Sequence, residues 1–160
     1  MTTTIKLVDY NDTIQTQQLM TLLNAYAEDP MGGGAPLSEY SKANLISALK
    51  QRSYVFSFIA YIDGLPAALC NCVEGFSTFK AKPLMNIHDM AVLPEYRGQG
   101  VSQKLMLHVE GFAKERGCCK LTLEVLQGNQ IAKNSYIKYG FEGYELDPEL
   151  GLAEFWEKPL

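Results

Sequence analysis

Between Thr3 and Asp9, Ile5 and Leu7 stand against Lys6 and Val8, the two-residue period of a short strand. From Thr13 to Glu28 the period lengthens, and Ile14, Leu19, Leu22, Leu23 and Tyr26 fall on one helical face. The run Asp29-Pro30-Met31-Gly32-Gly33-Gly34-Ala35-Pro36 breaks both periods. It reads either as a plain connector or as a substrate-side loop that something approaches closely. Ser38 can cap a second helix running roughly to Lys50, with Tyr40, Leu45 and Leu49 inward. Tyr54 to Tyr61 and Leu65 to Glu74 read as strands joined by Asp63-Gly64, a hairpin signal. Gly75 to Phe79 reads as a loop tip with exposed aromatics, and a central strand comes next from Leu84 to Leu93. Its alternation fails at His88-Asp89-Met90, as a bulge would make it do.

A helix then carries Val101, Leu105, His108, Val109 and Phe112 on one stripe, with Gly117 placed to end it. Cys119, Leu121, Leu123 and Val125 alternate with Lys120, Thr122 and Glu124 as another strand, and Asn129 caps a short helix from Gln130 to Tyr139. Two closing strands are predicted near Phe141 to Leu146 and Leu152 to Lys158. The pattern predicts an α/β (α+β) fold in one domain over residues 1–160, a central mixed sheet with helices on both faces.

Composition narrows the function classes. A formal net charge of −4 over 160 residues argues against nucleic-acid binding, which runs on clustered Lys and Arg, and fits a cationic substrate better. The start, MTTTIKLVDY, is too polar for a secretory leader, and the apolar region from Val55 to Cys72 is broken by Asp63-Gly64 and Pro66. The expectation is therefore a cytoplasmic protein without a membrane partner. Cys70, Cys72 and the pair Cys118-Cys119 lack the spacing of a zinc or redox site, so no metal is expected and the cysteines read as core.

The stretch from Asn86 to Val109 carries the candidate chemistry. An apolar strand turns through Leu93-Pro94-Glu95-Tyr96 into Arg97-Gly98-Gln99-Gly100, directly before the amphipathic helix. The first N–H groups of a helix have no internal partners, and with the positive end of its dipole and a guanidinium nearby they suit a phosphorylated ligand. Glycines let backbone approach such an anion closely. A dinucleotide fingerprint is a poor match, because Gln103 stands where the third glycine belongs. On these residues alone a tight strand-to-helix turn remains an alternative.

Arg97-Gly98-Gln99-Gly100-Val101-Ser102 resembles the acetyl-CoA signature of the GNAT superfamily: Gln or Arg, two residues, Gly, one residue, then Gly or Ala. Ser102 departs from the last position but is also small. Asn129-Gln130-Ile131-Ala132 and Tyr136-Ile137-Lys138-Tyr139-Gly140-Phe141 resemble the family's later motifs, and the predicted order of elements is the GNAT order. The resemblance implies acetyl-CoA as co-substrate, with Arg97 to Ser102 on its pyrophosphate, the backbone of Met90, Ala91 and Val92 on its pantetheine arm, and Asn129 as a further contact.

Moving an acetyl group from a thioester to an amine needs a neutral amine, and a lysine-like amine titrates near about 10.4, so a base or a water path is required. The departing thiolate needs a proton. Tyr136 reads on its helix stripe either as core or as that acid, and the resemblance implies the acid. His88 and Asp89 are candidates for the acceptor side, a histidine being able to act as base near neutral pH. Glu28, Asp29 and Glu74 could anchor a cationic group, and Phe76 lies in a Ser-Thr-aromatic loop. That loop resembles the spermidine/spermine and thialysine acetyltransferase branch, though His88-Asp89 stands where that branch has Glu-Asp. The leading expectation is an N-acetyltransferase acting on a small primary amine, polyamine or amino-acid-like. A protein N-terminal or lysine acetyltransferase and a catalytically silent acyl-CoA-binding module are the alternatives. The resemblance also implies a homodimer as a common state.

Overall fold

Five strands lie in chain order across one sheet: β1 (Thr3–Leu7), β2 (Val55–Ile62), β3 (Leu65–Ser77), β4 (Lys82–Val92) and β5 (Leu121–Leu123). The first four are antiparallel neighbours, and β5 joins β4 in parallel. The sheet is thus mixed, as the order of predicted elements implies, and mostly antiparallel. The computed structural model describes residues 1–160. Residues Met1–Leu123 form one unit, holding the sheet, α1 (Thr13–Glu28), α2 (Glu39–Lys50) and α3 (Val101–Glu115). Residues Glu124–Leu160 form a second, with α4 (Gln130–Tyr139).

Local chemistry sets the helix starts. The Asp12 carboxylate accepts from the N–H groups of Ile14 and Gln15, and Ser38 Oγ accepts from Ser41 N at 3.1 Å, so α1 and α2 each begin on a side-chain cap. The apolar stripes then divide the sheet's two faces. Ile59, Tyr61 and Leu69 pack with Leu19, Leu22 and Leu23 of α1, and Leu45, Ile46 and Leu49 of α2 close over them. The alternate side chains go to α3: Phe58 meets His108 and Phe112 edge-on at centroid distances of 5.6 and 5.2 Å, and Phe56 meets Phe112 at 4.9 Å. Cys70 and Cys72 lie opposite Phe58 and Phe56 in the β2–β3 register, fully buried on that face, and His108 is a ring-packing residue. Replacing Phe58 by Ala should lower unfolding free energy by about 3–5 kcal/mol, read from the urea midpoint at unchanged slope.

Several predicted boundaries move. The loop expected at Gly75 to Phe79 starts later, because β3 runs to Ser77 with Gly75 opposite Leu84 and Phe76 opposite Pro83. A Cβ on Gly75 would lie 3.2 Å from Leu84 Cδ1, so its glycine permits the ladder to continue where a loop was expected. Tyr40 is exposed, since it sits five residues before Leu45 and off the stripe of Leu45, Ile46 and Leu49. Ile14 is exposed as well.

The two closing strands are not formed. Within the second unit the only ladder element is a single antiparallel bridge between Glu145 and Leu152, supported by Ala153 N donating to Tyr144 O at 2.8 Å. The alternation of this segment is real in the sequence, but it becomes a strand only where a neighbour supplies a ladder. Inside this unit α4 begins on Asn129, whose Oδ1 accepts from Ala132 N at 3.2 Å, and Tyr136 packs edge-on against Phe141 at 6.0 Å. No helix is long and apolar enough to cross a membrane.

Candidate functional site

β4 leaves the sheet into a short 3-10 turn at Pro94–Tyr96, then Arg97 to Gly100, then α3. Gly98 and Gly100 have φ of 72° and 73°, the left-handed region that L side chains resist. A Cβ on either would meet no protein atom within 4 Å. These glycines are therefore not required by packing; they keep the backbone left-handed and its outer side open. Gly100 supplies no side-chain cap, and the first turn of α3 holds no acidic residue. The leading N–H groups of α3 accordingly have no side chain of their own to satisfy them, which is the condition an anion-binding helix start requires. Val101 is buried beneath this turn and Ser102 is half-buried, small enough to leave the approach open. Gln99 reaches back instead, its Nε2 donating to Glu95 O at 2.9 Å. The loop fits a pyrophosphate.

Arg97 ties the cradle to its surroundings. Its Nε donates to Val92 O at 3.0 Å and its Nη2 to Asp29 Oδ2 at 2.9 Å. A guanidinium carries five N–H donors, so these contacts leave others for a phosphate oxygen. Asp29 also accepts from Met31 N at 2.9 Å, and that backbone donor, with Arg97 second, holds its carboxyl below the usual carboxylate range. The loop after α1 and the cradle are thereby joined by one charged contact.

The ladder between β4 and β5 runs from Met85 to Ile87, opposite Leu121 to Leu123. Past it, Leu93 N donates to Ala67 O on β3, so by the two-residue period Ala91 also turns its N–H and C=O toward β3. Met90 and Val92 turn theirs to the other edge. Of the backbone expected to meet pantetheine, Met90 and Val92 thus face the open edge and Ala91 faces β3.

The predicted bulge falls at His88. Ile87 pairs with Cys72 and Asp89 with Asn71, leaving His88 as the extra residue with an exposed side chain. One inserted residue flips the succeeding side chains to the other face. Ile87 lies on the α3 face with Cys72, whereas Asp89 lies on the α1 face with Asn71. Asn71 Nδ2 donates to Asp89 Oδ2 at 3.0 Å. Burial pushes the Tyr26 phenol of α1 up, and the charges of Asp89 and Asp29 push it further.

Three expected acceptor residues lie elsewhere. Glu74 sits on the α3 face, where its Oε2 accepts from Arg116 Nε at 2.6 Å while that guanidinium stacks over Phe56 at 4.6 Å. It is a structural ion pair on the far side of the sheet from Asp89. Phe76 shares that far face and is exposed, five residues along β3 from Asn71, about 16 Å by strand rise. Glu28 ends α1 facing solvent, accepting from Asn24 Nδ2 at 3.1 Å. Sequence reading missed Tyr26, Ser57 and Asn71. A serine and an asparagine inside otherwise apolar strands were the available signal.

A glycine-bearing strand-to-helix turn after a bulged central strand is the arrangement that the GNAT resemblance implies. The sequence model of the Acetyltransferase (GNAT) family matches residues 17–141, and the chain belongs to that family. It is similar to a streptothricin acetyltransferase of Streptomyces lavendulae, 41% identical over 48% of this chain and 41% of that protein. It is also similar to a thialysine N-epsilon-acetyltransferase of Bos taurus, 36% identical over 53% of this chain and 50% of that one. The chain thus spans about half or less of these relatives' length. Among solved structures it shares its fold with an aminoglycoside acetyltransferase from an uncultured soil metagenomic sample in complex with sisomicin. That likeness has a TM-score of 0.78 at 19% identity, over 99% of this chain and 97% of that one. A second, AAC(6')-Iy in complex with the bisubstrate analog CoA-S-monomethyl-acetylneamine, has a TM-score of 0.76 at 18% identity over 100% of both chains.

Proposed function

We propose that this chain is an N-acetyltransferase that moves an acetyl group from acetyl-CoA to a primary amine of a small cationic molecule, by direct attack in a ternary complex. The observation that carries the reading is the cradle: two left-handed glycines open on their outer side, before an uncapped helix start, in a GNAT chain. Acetyl-CoA would supply an activated acetyl thioester there. Arg97 and the leading N–H groups of α3 would hold its pyrophosphate, the edge groups of Met90 and Val92 its pantetheine, and Asn129 a further part. Asp89 would bind the acceptor ammonium and take its proton directly or through water, with Asp29 adding negative charge and His88 a second base at the bulge. The Tyr136 hydroxyl would return a proton to the departing sulfur. That residues 1–160 work as one domain belongs to the same proposal.

The acceptor class is inferred from the names of the relatives, a streptothricin and a thialysine acetyltransferase, and from the net charge of −4. The test is release of CoA thiol from acetyl-CoA with thialysine, spermidine, sisomicin, free amino acids and short peptides. Turnover on the small polycationic amines is expected, and Asp89→Asn should lower kcat/KM by about 10²-fold. Preference for peptides would shift the reading to a protein acceptor. Tight acetyl-CoA binding with silence across the panel would make the chain a binding module.

A further inference from the structure

One rung of the sheet is polar where its neighbours are apolar. Ser57 on β2, Asn71 on β3 and Asp89 on β4 stand opposite one another in register, with Ile59, Leu69 and Ala91 forming a neighbouring rung on the same face. Ser57 is fully buried and Asn71 nearly so. Burying such groups costs free energy unless every one is hydrogen-bonded, and apolar residues would fill the rung without that demand. Here the demand is met by a chain. Ser57 Oγ donates to Asn71 Oδ1 at 2.6 Å, Asn71 Nδ2 donates to Asp89 Oδ2 at 3.0 Å, and Tyr10 Oη lies 2.9 Å from Ser57 Oγ.

The carboxylate at its end sets the direction of this chain. An ionised carboxylate only accepts, so Asn71 must turn its amide nitrogen to Asp89 and its oxygen to Ser57. Ser57 has one proton and gives it to Asn71, so Tyr10 must donate to Ser57. Burial, the largest influence on the Tyr10 phenol, pushes its titration up and keeps that proton in place. Successive bonds polarise one another toward the carboxylate. The chain engages Oδ2 and leaves Oδ1 for a ligand.

We infer that Tyr10, Ser57 and Asn71 are positioning residues that fix the Asp89 carboxylate for the acceptor amine. This inference rests on the acceptor-side role of Asp89 proposed above. The three residues touch no reacting atom; they set the orientation of the group that does.

The experiment takes the panel amine that turns over fastest and measures kcat, acetyl-CoA affinity and melting temperature for Asp89→Asn, Asn71→Leu, Tyr10→Phe and each of the latter two combined with Asp89→Asn. Asn71→Leu should lower kcat on the order of 10-fold through misplacement of the carboxylate, and Tyr10→Phe by a smaller factor, with acetyl-CoA affinity unchanged. In the Asp89→Asn background neither should slow the enzyme further, because the group they orient is gone. A purely structural role would move melting temperature without this coupling. Tyr10→Phe removes one hydroxyl at the outer end of the chain, so it tests the inference even where Asn71→Leu folds poorly. Full kcat in both variants while Asp89→Asn is slow, or effects that multiply with it, would overturn the inference. Full turnover by Asp89→Asn, or a silent panel, would instead overturn the reading beneath it.

Discussion

Gly100→Val should lose acetyl-CoA affinity by about 10²-fold while the protein stays folded. Three quantities set that expectation. At φ 73° and ψ 13° the residue is left-handed, a conformation that costs an L side chain about 1–2 kcal/mol, most for a β-branched one. A Cβ there meets nothing of the protein within 4 Å, so the added methyls project outward and do not disrupt the core. If that bulk displaces a phosphate from two charge-assisted hydrogen bonds at about 1.5 kcal/mol each, the cost is roughly 3 kcal/mol, or ~10²-fold. Calorimetric titration with acetyl-CoA reads the affinity and thermal unfolding reads the fold. Gly100→Ala, with the strain but less bulk, should fall between. Unchanged binding by the valine variant would mean that these residues form only a turn.

Tyr136→Phe should keep acetyl-CoA affinity and lower kcat by about 10²- to 10⁴-fold, the range for removing a general acid. The substitution deletes one hydroxyl and keeps the ring, so the edge-on contact with Phe141 at 6.0 Å survives and α4 retains its packing. Unaltered turnover would make Tyr136 a core residue, with the proton coming from solvent or another side chain. Together with Gly100→Val, this variant separates binding from chemistry.

Much of this molecule is legible from neighbours in sequence. The caps at Ser38 and Asn129, the stripes of α1 and α3 and the glycine-bearing turn all involve residues a few positions apart, and short-range geometry decides them. The bulge at His88 was legible too, because an inserted residue disturbs a two-residue period visibly. The closing strands were not. Their alternation shows one side of a ladder but not whether a partner stands beside it, and here only Glu145 and Leu152 meet.

The acceptor side shows the same division. That the chain has carboxylates at 28, 29, 74 and 89 is written in the sequence. Which of them share a face is not, because facing depends on register between distant strands. The bulge turns Asp89 to α1, whereas Glu74 goes to α3 and is taken by Arg116, 42 residues away. Asp29 meets Arg97 across 68 residues, and Ser57, Asn71 and Asp89 become one rung only when three strands align. The sequence by itself determined the helices, the first five strands, the glycine-bearing turn before α3 and the family, since each is encoded in local periods and short motifs. Tertiary structure alone decided which charges pair and which carboxylates share a face, because pairing register and sheet face are set by contacts between residues far apart in the chain.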